Sequence, residues 1–159
     1  MNNRDFVTTF GGIYEHSSWV AERVSQTLDS QKSLVEQFKR VVDTASDDQK
    51  LALLCAHPDL AGKAAIAGTL TAESSLEQSA AGIDQCSQTE YEAFTTLNKA
   101  YKKKFNFPFI MAVRDSNRQM ILSAFQERLE NDRQTEYELA LKEVHKIAAF
   151  RFADLKNTQ

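Results

Sequence analysis

SQTEYEAFTTLNKAY, residues 87–101, carries the pattern that decides the fold. Ser87 and Glu90 have the spacing of a capping box, in which the hydroxyl accepts from the N–H at Glu90 and the carboxylate reaches back to the serine N–H. Behind the box, Tyr91, Phe94, Leu97, Asn98 and Tyr101 fall on one stripe of a 3.6-residue repeat. The stripe runs out at Lys102-Lys103-Lys104, charges that suit a solvated helix end.

The same grammar recurs on both sides. Upstream, Ser46 and Gln49 make a second box before Leu51, Leu54 and Cys55, and that helix should stop near His57, because Pro58 pushes its predecessor out of helical backbone. Ser30 is read as the cap of a helix bearing Leu34, Val35, Phe38, Val41 and Val42. Ser17 or Ser18 opens one with Trp19, Val20, Val24 and Leu28 on a face, and Asn3 opens the first, with Phe6, Val7 and Phe10, which Gly11-Gly12 ends. Ser74 and Glu77 have box spacing, and Thr135 with Glu138 opens the last helix through Leu141, Val144, Ala148, Phe152 and Leu155. Residues 105–113 are almost all apolar around Pro108; with no partner strand in sight, they read as an extended, buried connection. The expectation is an all-α protein, a single compact bundle of about seven to nine helices occupying residues 1–159 as one domain.

Composition narrows the function. The chain has 159 residues, 42% hydrophobic and 26% charged, enough for one sizeable core. Five glycines and two prolines are too few for a turn-rich β architecture. A net charge of −3 leaves no electrostatic footprint for nucleic acid. No apolar run approaches the roughly 18 residues that span a bilayer, and Met1-Asn2-Asn3-Arg4-Asp5 lacks the apolar core of a signal peptide. We therefore expect a cytoplasmic protein with Cys55 and Cys86 reduced, partnered by neither membrane nor nucleic acid.

His16, His57 and His145 form no zinc spacing with other ligands, Gly62-Lys63 lacks the rest of a phosphate loop, and no nucleophile elbow is present. His57 stands at a helix break, which would expose its imidazole to a ligand, and histidine exchanges protons near neutral pH; a capping histidine before a stop signal fits the same residues. Glu77 can cap a helix as a carboxylate, or Glu77 and Gln78 can line a pocket, where a carboxylate accepts two N–H bonds from one urea group. Arg114, directly after the apolar run, needs an anionic partner, either a protein carboxylate such as Asp115 or a substrate.

Taken in order, several segments resemble the OHCU (2-oxo-4-hydroxy-4-carboxy-5-ureidoimidazoline) decarboxylase family. They are Gly11-Gly12-Ile13-Tyr14-Glu15-His16-Ser17 with Trp19; His57-Pro58-Asp59-Leu60-Ala61-Gly62-Lys63; Ser74, Glu77 and Gln78 with Ala81-Gly82-Ile83-Asp84; Leu97-Asn98 with Tyr101; Lys104-Phe105-Asn106-Phe107-Pro108-Phe109-Ile110; Ala112-Val113-Arg114; Arg128-Leu129 with Asn131; and Glu143-Val144 with Lys146-Ile147-Ala148. Two departures stand out, Asn106 and Asp115, where the family commonly has glycine; asparagine tolerates positive φ better than most residues.

The resemblance implies an all-α homodimer that needs no metal or organic cofactor and releases (S)-allantoin from OHCU in urate degradation. It places His57, Ser74, Glu77, Gln78 and Arg114 in the pocket with Pro58, and with backbone groups around Phe107 and Ile110. His57 is the expected acid/base group with Glu77 beside it, and the others position the substrate; His16 is read as structural. The residues alone also admit a non-catalytic helical binding module, or another lyase or hydrolase acting on ureides.

Overall fold

The computed structural model describes residues 1–62 and 68–158. Among the described residues it holds eight α-helices, one 3₁₀ turn (Ile83–Gln85) and no strand, which bears out the all-α expectation in class and in number. Lys63, part of the quoted motif, lies outside the described residues. The chain packs as two compact units, Met1–Ala56 with Val144–Gln159, and His57–Glu143.

The first unit contains α1 (Asn3–Phe10), α2 (Trp19–Gln26), α3 (Leu34–Asp43), α4 (Asp47–Cys55) and the C-terminal part of α8 (Arg133–Thr158). α1 packs on α2, and α2 on α3. Its core is aromatic: Phe38, fully buried, meets Phe152 edge-on at 5.0 Å and stacks with Tyr14 at 6.4 Å, while Phe6 lies 4.8 Å from Phe10. Such rings contribute area and a preferred geometry together. Arg151, itself buried, donates to the Gly12 carbonyl at 3.0 Å and pairs with buried Glu15 at 3.4 Å. A second polar chain links Tyr14 to His145 Nδ1 at 2.8 Å and His145 Nε2 to Asp43 at 2.9 Å.

Several helix starts differ from the sequence reading by one to three residues. Asn2, not Asn3, caps α1 by accepting from Asp5 N–H, and Ser33, not Ser30, caps α3 by accepting from Glu36 N–H. Ser30 cannot serve, because Gln37 folds back to bond the Asp29 backbone in both directions and holds that stretch as a turn. Ser18 stands at the start of α2 without capping it through its side chain, and α2 ends at Gln26, which leaves Leu28 49% exposed rather than on the buried face. The boxes at Ser46/Gln49 and Ser87/Glu90 form as read. α8 opens at Arg133, where Asp132 accepts from Thr135 N–H, so Thr135 is capped and does not cap.

The second unit contains α5 (Ala72–Ala80), α6 (Gln88–Phe105), α7 (Arg118–Leu129) and the first part of α8. Its core gathers Phe94, Tyr101, Phe105, Phe107, Phe109 and Phe125 at 1% exposure or less. The expected connection is present: after α6 the chain runs without regular structure through residues 107–110, all buried. At the centre sits Glu136, with no exposed surface. Its Oε1 accepts from Tyr101 Oη at 2.6 Å and from Arg128 Nε at 2.9 Å, and its Oε2 from Asn131 Nδ2 at 2.9 Å. Burial, and then the bond to this carboxylate, push the Tyr101 phenol far above its ordinary range, so it remains a donor.

Two expectations follow. Glu136→Ala leaves a largely buried guanidinium and a buried phenol without this acceptor, a change that costs about 3–5 kcal/mol; a denaturant midpoint close to that of the unmodified protein would contradict the arrangement. In the first unit, burial holds the His145 imidazole below its usual value of 6.5, against the opposing pull of Asp43, with Lys39 adding to the depression. Unfolding then takes up a proton, so this stability is present above about pH 6.5 and is lost as pH falls through the lower folded value. The melting temperature should drop from about pH 7 to about pH 5, and His145→Gln should flatten that slope.

Candidate active site

The site grows from a chain break. Pro58 prevents continuation of the helix that ends at Cys55, and residues 57–62 then form a loop fixed by side chains of two helices. From α5, Gln78 Oε1 accepts from Ala61 N–H at 3.1 Å, and its Nε2 donates to the Asp59 carbonyl at 3.4 Å. From α6, Asn98 Nδ2 donates to the Leu60 carbonyl at 2.9 Å, and Lys102 pairs with the Asp59 carboxylate at 2.7 Å. Asp59, Leu60 and Ala61 are therefore each held in place. Ala61 takes a left-handed φ of 53°, and at Gly62 a Cβ would lie 2.7 Å from the Cβ of Asp59, so only glycine lets the chain pass.

His57 heads this loop at 8% exposure. The helix break was expected to expose the imidazole; it is buried instead, at the head of a loop whose residues 59–61 are clamped to α5 and α6. Pro58 beside it is half-buried. On α5 the box expected from Ser74 and Glu77 is replaced: Thr71 caps the helix, its Oγ1 accepting from Ser74 N–H at 3.2 Å. Ser74 and Gln78, one turn apart, are both buried on the same stripe, with Glu77 half-buried next to Gln78. Glu77 stands mid-helix, away from the unpaired N–H groups that a capping carboxylate serves.

The connecting segment enters the second unit's core. The Phe107 ring lies 6.0 Å from those of Tyr101 and Phe105, and Phe109 stacks on Phe125 at 3.9 Å with the Arg128 guanidinium 4.5 Å from its centre. The Ile110 side chain is buried and its carbonyl accepts from Arg128 Nη1, while Ala112 N–H donates to Glu143 at 3.2 Å. Arg114 follows, exposed, at a turn. Both departures from the glycine pattern occupy left-handed backbone, Asn106 at φ 64° as the C-cap of α6 and Asp115 at φ 61°. A cavity of about 550 Å³ shares Gln78 and Ala61 with the clamp and is walled further by Ser75, Asp84 and Tyr91. Its described lining does not include His57, Glu77 or Arg114, so it adjoins the constellation through Gln78. Among the described residues, no three His, Cys, Asp or Glu side chains are grouped to hold a metal ion.

The family model described as OHCU decarboxylase matches residues 1–153. The chain belongs to the OHCU decarboxylase family. It is 42% identical over 156 residues to the 2-oxo-4-hydroxy-4-carboxy-5-ureidoimidazoline decarboxylase of Haloferax volcanii, covering 97% of this chain and 90% of that one. Among solved structures, a crystal structure of (S)-allantoin synthase superposes with a TM-score of 0.77 at 33% identity, over 98% of this chain and 50% of that one. A crystal structure of OHCU decarboxylase in the presence of (S)-allantoin gives a TM-score of 0.68 at 25% identity, over 90% and 94%. The family identified from the ordered motifs is thereby borne out.

Within this OHCU decarboxylase fold, sequence reasoning named Gln78 as a site residue but missed Asn98 and Lys102 as residues that hold the loop. Asn98 was a polar residue on an apolar stripe, a signal that could have marked it. Lys102 was read as part of a solvated helix end, yet it reaches Asp59, 43 positions away in the chain. The cap assignment can be checked: Thr71→Ala should cost about 1 kcal/mol of stability, as loss of a hydroxyl cap does. A change near zero would return the capping role to another residue.

Proposed function

We propose that this chain decarboxylates OHCU to (S)-allantoin in urate degradation, as a carboxy-lyase with no metal or organic cofactor. The observation that carries the proposal is the loop headed by His57, pinned to the helix that bears Ser74, Glu77 and Gln78. A proton-transfer group and a row of urea-compatible polar groups thereby share one framework.

OHCU has its carboxylate and hydroxyl on one ring carbon, beside a C=N carbon bearing the ureido group. When the carbon–carboxyl bond breaks, CO₂ leaves and the electron pair passes to the adjacent C=N. The substrate contains its own electron sink. The hydroxyl proton departs as the ring carbonyl forms, and a proton added to the ureido-bearing carbon sets the S configuration; net, one proton is taken up for each CO₂ released.

His57 accepts the hydroxyl proton, within a buried setting that strengthens its polar contacts. Glu77 accepts from the ureido N–H groups and orients His57 or the intermediate. Ser74 adds a hydrogen bond, Gln78 positions the ring while gripping the loop, and Arg114 anchors a carbonyl or carboxylate oxygen. Pro58 and the backbone around Phe107 and Ile110 complete the wall. We assign the whole of residues 1–159 to one catalytic domain, acting as a cytoplasmic homodimer. No described helix is long and apolar enough to cross a membrane.

The test generates OHCU in situ from urate and follows the optical activity of the product. Uncatalysed decay gives racemic allantoin; the unmodified protein should give the S form. His57→Asn keeps hydrogen bonding at similar volume without proton exchange near neutrality. It should remain folded and lose about 10²-fold or more of the acceleration. Near-normal rate and stereochemistry in that variant would remove His57 from the mechanism.

A further inference from the structure

Asn98 is 5% exposed on α6, one turn from the fully buried Phe94 and Tyr101. Its Nδ2 donates to the Leu60 carbonyl, while its Oδ1 is buried and has no hydrogen-bond partner among the described residues. A buried acceptor left unsatisfied lowers stability, so an apolar side chain would suit a position that only filled the core.

The single bond that Asn98 makes falls at a particular place. The Leu60 carbonyl and the Ala61 N–H belong to the same peptide group. Asn98 holds its C=O from α6 and Gln78 holds its N–H from α5, at 2.9 and 3.1 Å. Gripped at both ends, that plane cannot rotate, and its orientation sets the φ of 53° at Ala61. An alanine resists this conformation, because its Cβ crowds the neighbouring carbonyl. Released, the residue would return to negative φ, and a change of more than 90° in one dihedral would re-aim the loop that His57 heads.

We propose that Asn98 is a positioning residue for the decarboxylation, fixing the Leu60–Ala61 peptide plane so that the loop presents His57 to the substrate. The proposal rests on His57 as the acid/base group. It assigns to Asn98 no contact with substrate. Its loss should therefore lower kcat and leave KM nearly alone, since misaligned catalytic groups slow chemistry more than binding.

The experiment compares the unmodified protein, Asn98→Ala and the double variant Asn98→Ala/Ala61→Gly, well below their melting temperatures and per mole of folded protein. Asn98→Ala should lose about tenfold to a hundredfold in kcat with KM within about twofold. Amide hydrogen exchange at Ala61 should accelerate. Glycine enters positive φ as readily as negative, so Ala61→Gly should restore about threefold or more of the lost kcat without restoring the Asn98 bond. A residue serving stability alone predicts a lower melting temperature, unchanged kcat and no rescue, and that result overturns the proposal. If Asn98→Ala does not fold, Asn98→Asp preserves the shape while turning an acceptor toward the Leu60 carbonyl, and the same split in kcat and KM is read from it. An unmodified protein that forms no (S)-allantoin fails the functional reading itself; an active protein whose Asn98 variants are equally active fails only the positioning role.

Discussion

A carboxyl group with no exposed surface needs protein donors in place of water, and Glu136 meets that demand with three side chains from different places in the chain. Tyr101 brings α6, Arg128 brings α7, and Asn131 brings the turn before α8. Arg128 spends a further N–H on the Ile110 carbonyl, fixing the irregular segment that has no ladder of its own. Helix packing sets the outline of residues 57–143; the geometry around one acid sets which helices meet and at what height.

The loop after Pro58 follows the same logic with neutral groups. Among the described residues, the amides of Gln78 and Asn98 satisfy backbone groups of Asp59, Leu60 and Ala61. Amide side chains can donate and accept without the desolvation penalty of a charge. They hold a backbone in an unfavourable region without adding a buried charge. Among the described residues, Lys102 is the cation of the clamp, half-exposed and paired with the Asp59 carboxylate.

How much of this was legible depended on how far each signal reached along the chain. Ser46/Gln49 and Ser87/Glu90 carry both halves of a cap within four residues, and both formed. Where polar residues crowd together, as at Asn2 and Asn3, Ser30 and Ser33, or Thr71 and Ser74, the choice falls to whichever takes extended backbone, and the local pattern does not fix that. The buried connection could be read because its composition left few alternatives. Pro58 marked the loop, and the ordered motifs marked the residues on it, but neither indicated burial of His57. The bonds that fix the loop after it span 17 positions, between Ala61 and Gln78, and 38 positions, between Leu60 and Asn98. Only the fold brings these together.

The division of the chain also bears on how the molecule is made. His57–Glu143 is one continuous stretch, so everything it packs against within its unit is on hand once Glu143 has been synthesised. Met1–Ala56 is in the opposite position: its unit is closed by Val144–Gln159. Phe152 is an edge-on partner of Phe38, and Arg151 is the counter-ion of Glu15. On the ribosome residues 1–56 emerge before residues 144–159 and wait, with the Glu15–Arg151 contact unmade and the aromatic cluster incomplete, until that later segment is synthesised. The later segment is the one the earlier segment needs, and the interval between them is when residues 1–56 most depend on protection from aggregation.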